Sequence, residues 1–139
     1  MRVVIDPNVL ISAVINPTGA PGRLIEAVRS GRLQLIACPI LLNEFAGVLA
    51  RPKFRRWLTE DEAIRFGIDL AALAEHNPDP EVPYPIATRD PNDDYLVALT
   101  LKAEADALIS GDADLAQVGG FTLLTPRQAL ESINSEAGS

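Results

Sequence analysis

Four places in the chain set carboxylates where they could act together. Asp6 directly follows the apolar run Val3-Val4-Ile5, and Glu44 lies inside Leu41-Leu42-Asn43-Glu44-Phe45. Three acids crowd into five residues of Arg89-Asp90-Pro91-Asn92-Asp93-Asp94-Tyr95. Asp112 and Asp114 follow Ala107-Leu108-Ile109 in Ser110-Gly111-Asp112-Ala113-Asp114. Each has an ordinary explanation taken singly: Asp6 and Asp112 as helix N-caps, Glu44 as an exposed helix acid, the acids of 90–94 as partners of a helix dipole. The dipole accounts well for one or two acids and poorly for three so close, because like charges repel and a cation relieves them. Carboxylate oxygens are hard ligands that suit Mg²⁺ or Mn²⁺. With a single cysteine, Cys38, and a single histidine, His76, there is no zinc set and no thiol–imidazole pair. The chemistry this allows is metal-assisted hydrolysis of a phosphodiester.

The elements that must position these acids alternate regularly. Val3, Val4 and Ile5 are consecutive β-branched residues, the pattern of a strand buried on both faces. Pro7 suits a first helical turn, and a helix over 8–15 stops at Asn16-Pro17-Thr18-Gly19. A helix over 21–30 ends at Gly31, a strand covers 33–37, and a helix runs from Pro39 to about residue 50. Thr59 and Glu62 form a capping-box pattern that opens a helix to about residue 75. Residues 77–91 read as a loop with a short extended piece at 82–84. A helix over 92–105, a strand over 107–109, a helical turn over 112–117, a strand over 121–124 and a helix over 126–133 complete the order. Gly111 is expected to permit a tight turn. Strands alternating with helices predict an α/β fold, its central sheet mostly parallel and flanked by helices. Ligands of such folds sit beyond the carboxyl ends of the strands, where strand order reverses. Asp6 and Asp112 fall there, so the scattered acids can converge on one edge.

With 139 residues and 47% hydrophobic content, the chain suits one domain over 1–134, with a disordered tail over 135–139. No apolar stretch is long enough to span a bilayer, and the lone cysteine points away from a disulfide-forming compartment, so a cytoplasmic protein is expected. The net charge of −7 argues against broad nucleic-acid binding unless the acids surround a metal or a basic patch lies on one face. Such a patch exists: Arg51-Pro52-Lys53-Phe54-Arg55-Arg56-Trp57 holds four cations and two aromatics. Arg55 and Arg56 are candidates for contact with phosphates and bases, and Arg89 is a weaker one nearer the acids. The competing explanation is a solvated corner with Phe54 and Trp57 packed in the core.

Taken in order, these motifs resemble the PIN-domain nucleases, especially the VapC-type toxins of prokaryotic toxin–antitoxin pairs. The resemblance runs from Val3-Val4-Ile5-Asp6-Pro7-Asn8 to Thr125-Pro126. It rests on Asp6 after the first strand, Glu44 in a mid-chain helix, Asp94 ahead of Tyr95-Leu96-Val97-Ala98-Leu99, and Ser110-Gly111-Asp112 after a late strand. It implies a PIN-like three-layer α/β/α fold and an endoribonuclease with Asp6, Glu44, Asp94 and Asp112 around Mg²⁺ or Mn²⁺. Asp114 would ligate directly or through water. Asn8, Ser110 and Asp93 would support the metal or touch substrate, with Asp93 or Asp90 the alternatives to Asp94 for its position. RNA as substrate, a cognate antitoxin and a homodimer or higher oligomer are implied with it. Pro7 and Ser110 each stand where the family usually has threonine.

Two other readings compete. A non-catalytic PIN-like module would use the acids to bind a basic segment of a partner. An aspartate-based phosphotransfer domain is the other, but Asn8 stands where one such site needs a second aspartate, and Lys53 and Lys102 are misplaced for another.

Overall fold

The computed structural model describes residues 1–84 and 90–137. Its sheet is built from β1 (Arg2–Ile5), β2 (Gln34–Ala37), β3 (Glu75–His76), β4 (Ala107–Ile109) and β5 (Leu123–Leu124). The helices are α1 (Pro7–Ile15), α2 (Ala20–Arg29), α3 (Pro39–Leu49), α4 (Glu60–Leu73), α5 (Asp94–Lys102) and α6 (Pro126–Ala137). Strand order is β3-β2-β1-β4-β5, and every pairing is parallel. Helices flank the sheet in a three-layer α/β/α arrangement. The expected mostly parallel sheet is thus wholly parallel among the described residues.

The local reasons are those expected. Val3, Val4, Ile5 and Ala107, Leu108, Ile109 are fully buried, so the two central strands are covered on both faces. Pro7, at the first helical position, lacks the N–H that a helix start would leave unpaired. Gly31 ends α2 at φ 82°, a left-handed conformation that glycine takes without Cβ strain. Thr59 and Glu62 exchange both capping-box bonds at 3.1 and 2.9 Å, and Thr125 with Gln128 does the same for α6. Gly111 has no left-handed φ, and a Cβ there meets nothing within 4 Å, so the turn does not depend on glycine.

Several boundaries differ from the sequence reading. The helix expected to reach residue 75 ends at Leu73, and Glu75–His76 become edge strand β3, in register with Ile36 and Ala37. A polar dipeptide carries no strand pattern; what holds it is remote. Arg2 donates to both Glu75 oxygens, at 3.0 and 2.7 Å, across β2. No strand forms at Val82–Tyr84. Residues 91–93 form a 3-10 turn ahead of α5 instead of joining it, and Glu104 at φ 52° turns the chain after Lys102. Helix α6 continues to Ala137, past the start of the expected tail at 135.

The Arg2 pair has a pH consequence. It holds the Glu75 carboxyl down at about 2 against 4.5. A depressed folded-state value contributes stability above pH 4.5, and that contribution fades as pH falls from 4.5 towards 2. Glu75→Gln is therefore expected to flatten the acid limb of the thermal-midpoint profile and to leave the neutral plateau slightly lowered, since the pair is solvent-accessible.

The topology positions the site. The chain leaves β3 at one edge and re-enters the sheet at β4, on the other side of β1, so strand order reverses between β1 and β4. The carboxyl ends of those two strands border the crevice. Asp6 follows one, Ser110 the other.

Candidate active site

Asp6 is held from three directions. Its N–H continues the sheet ladder by donating to the Ile109 carbonyl at 2.9 Å. One carboxylate oxygen accepts from the Asn8 N–H at 2.9 Å, capping α1. The other accepts from the Ser110 hydroxyl at 2.9 Å. Asp6 and Ser110 are both buried, and among the described residues Asp6 forms no salt bridge, an uncommon setting for a buried carboxylate. Ser110 Oγ in turn accepts from the Asp112 N–H at 3.1 Å, and Asp112 Oδ1 accepts from the Asp114 N–H at 2.9 Å. One relay therefore ties the acids after β4 to the acid after β1. Capping and site formation are the same event here: the oxygens that finish each turn are aimed by doing so.

Glu44 projects from α3 and is exposed, but its Oε2 accepts from the Tyr95 hydroxyl, whose ring is buried in the first turn of α5. Tyr95 thus orients the Glu44 carboxylate. A phenol buried next to a carboxylate loses its proton less readily, so the Tyr95 value rises, with burial the larger cause and the Glu44 hydrogen bond the next.

The third group of acids reaches the site through Asp93, the last residue of the 3-10 turn Pro91–Asp93. Its carboxyl is pushed up from 3.8 to about 6, first by burial, then by the negative charges of Asp6, Asp90, Asp112 and Glu44. Four acids from four sequence regions therefore act on one carboxylate. Asp94 opens α5 and is partly buried, and Asp90 caps the turn by accepting from the Asn92 N–H at 3.0 Å. Among the described residues no three His, Cys, Asp or Glu side chains close around one ion on their own. Mg²⁺ is commonly held by one or two carboxylates together with waters and substrate phosphate oxygens. The donor chemistry and the mutual repulsion at Asp93 fit such a cation.

The remaining candidates fall elsewhere. The Asn8 side chain is exposed at the start of α1, and Asp114 lies partly buried on the 3-10 turn Ala113–Gln117. Arg55 turns inward and donates to the Leu49 carbonyl, while Arg56 is exposed. Arg89 lies outside the described residues. Cys38 is wholly buried beside β2, and burial pushes its thiol up to about 11, as expected of a core residue.

Ser110 carries a direct test. Ser110→Ala leaves the buried Asp6 oxygen without its donor and the Asp112 N–H without its acceptor. A loss of about 1–3 kcal/mol is expected, read as a lowered thermal midpoint. An unchanged midpoint would show that the relay contributes nothing.

The fold is a parallel α/β/α domain, with Asp6 and Ser110 hydrogen-bonded across its β1/β4 crevice. The chain belongs to the PIN-domain family, whose model matches residues 2–114. PIN domains are generally nucleases that use divalent metal ions. The chain is 29% identical over 115 residues to an uncharacterised protein, MJ1680, of Methanocaldococcus jannaschii, covering 83% of this chain and 73% of that one. Its fold is similar to a chain of VapBC2 from Rickettsia felis, solved bound to a DNA fragment from their promoter. There the TM-score is 0.66 at 9% identity, over 90% of this chain and 98% of the other.

Proposed function

We propose that this chain is an endoribonuclease dependent on Mg²⁺ or Mn²⁺, acting as the cytoplasmic toxin of a toxin–antitoxin pair. The observation that carries the reading is geometric: Ser110 binds Asp6 at 2.9 Å across the β1/β4 crevice, with Asp112, Glu44 and Asp93 close enough that their charges act on one another. Family membership supports nuclease chemistry, and the fold shared with VapBC2 supports a protein antitoxin that covers the acidic crevice. Association into a homodimer belongs to the same reading. No helix among the described residues is long and apolar enough to cross a membrane.

Asp6, Glu44, Asp93 and Asp112 would hold the cation, with Asp94 and Asp114 at its margin. When bound, it supplies Lewis acidity that favours ionisation of water and neutralises charge on the phosphodiester. The chain's own residues do the positioning. Ser110 fixes Asp6, Tyr95 fixes Glu44, and the Ser110 hydroxyl, which also accepts from the Asp112 N–H, ties the turn that carries Asp112 to Asp6. A carboxylate of the cluster accepts the proton of the attacking water.

The test incubates purified protein with structured and single-stranded RNAs in Mn²⁺, Mg²⁺ or EDTA, beside an Asp6→Asn/Asp112→Asn double variant. Cleavage that needs metal and is lost in the variant is the expected result. Absence of both cleavage and calorimetric metal binding would replace this reading with a non-catalytic binding module.

A further inference from the structure

Arg51, Lys53, Arg55 and Arg56 put a third of the chain's 12 Lys and Arg into six residues, and no Asp or Glu occurs between Glu44 and Glu60. In a chain of net charge −7, such a segment attracts phosphate where most of the surface repels it. The structure divides it. Phe54 is buried, and Arg55 binds the carbonyl end of α3, so both serve the fold. Arg51, Lys53 and Arg56 stay exposed, and none of the three pairs with an acid among the described residues.

Trp57 stays outside as well, at 41% exposure. The Arg56 guanidinium lies over its indole, 4.9 Å from the ring centroid, and the Phe54 ring supports it at 5.9 Å. A guanidinium stacked on an indole is a flat, cationic platform, and unpaired bases stack on both kinds of surface. Lys53, 5.2 Å from the Phe54 centroid, and Arg51 flank the platform. Helix α3 links this corner to the site: Glu44 lies five residues, about 7.5 Å along the helix axis, before its last residue Leu49, and Arg51 follows two residues on. A few nucleotides of extended strand cover that distance.

We infer that Arg51, Lys53, Arg56 and Trp57 form a binding site for single-stranded RNA flanking the cleaved bond. The Arg56–Trp57 pair stacks a base, and Arg51 and Lys53 hold adjacent phosphates. A duplex keeps its bases stacked internally and cannot reach the platform. The inference rests on the nuclease reading only for the link between this strand and the acidic crevice.

Trp57 is the only tryptophan of the chain, so intrinsic indole fluorescence reports on this corner alone. The full chain is titrated in EDTA with an unstructured RNA of about 12 nucleotides, with the same strand annealed to its complement, and with polyglutamate. The single strand is expected to quench Trp57, with log K falling against log salt at a slope of about −2 for three cations. Arg56→Ala is expected to weaken binding about tenfold, and Lys53→Ala to flatten the slope by about 0.7, both variants keeping the wild-type circular dichroism. No quenching by the single strand, equal quenching by the duplex, or insensitivity to both substitutions overturns the inference. Equal quenching by polyglutamate overturns it in favour of an acidic protein partner. Because the titration reads binding without metal, quenching with no cleavage in the metal assay would sink the nuclease and keep the corner. Cleavage without quenching would do the reverse.

Discussion

Asp6→Asn is expected to lower the metal-dependent cleavage rate by at least about 10²–10³-fold while the protein stays folded. The size follows from position. Asp6 is the buried carboxylate of the cluster, at the end of a central strand, and both its oxygens are oriented by donors. Asparagine keeps the shape and one acceptor for the Asn8 N–H, so the α1 cap survives. It loses the charge and presents an amide to the Ser110 hydroxyl, which can accept from it. The thermal midpoint should therefore move little, and calorimetric affinity for Mn²⁺ should fall with the rate. A variant that is folded and still fully active would remove Asp6 from the site and the carboxylate mechanism with it.

Asp93→Asn should act on activity and stability in opposite directions. Removing one carboxylate from the convergence point is expected to cost about 10²-fold in rate, against a smaller loss for Asp94→Asn. Stability runs the other way in metal-free protein. The Asp93 carboxyl, raised from 3.8 to about 6, binds its proton more tightly folded than unfolded. Its favourable contribution is full below pH 3.8 and is lost as pH rises through about 6. At pH 7 the ionised group therefore opposes folding. The displacement corresponds to ~3 kcal/mol unscreened, and solvent access at this partly buried side chain reduces it to about 1 kcal/mol. In EDTA at pH 7, Asp93→Asn should melt about 4 °C above wild type, with the gap closing near pH 4. Added Mn²⁺ should stabilise wild type more than the variant, because ligand binding to the native state is the added stabilisation. A variant less stable than wild type at pH 7 without metal would show that Asp93 is not repelled there. A larger rate loss in Asp94→Asn would move the ligand role one residue on.

The elements were legible where local chemistry repeats itself. Val3-Val4-Ile5, the Thr59–Glu62 box, Pro7 and Gly31 each settle a boundary from side-chain shape or backbone freedom, and the strands and helices fall accordingly. Elements held by remote partners were not legible. Strand β3 is the polar pair Glu75–His76, and its place depends on Arg2, 73 residues away. The basic segment read as one unit, yet burial sorts it residue by residue, Phe54 and Arg55 inward, Arg56 and Trp57 outward.

By itself the sequence determined which residues are acids, that they follow strands or open helices, and that their oxygens suit a hard cation. Those properties follow from residue type and from periodicity along a few neighbouring positions. Only the tertiary structure decided which acids share a crevice. The reversal of strand order beside β1 brings Ser110 within 2.9 Å of Asp6 across 104 residues, and the packing of α5 on β1 and β4 sets Tyr95 against Glu44. It also sets Asp93, on the 3-10 turn of residues 91–93, near the charges of Asp6, Glu44 and Asp112, next to the Asp94 that the resemblance suggested. That turn closes locally on Asp90, whereas the acids that face it come from distant parts of the chain.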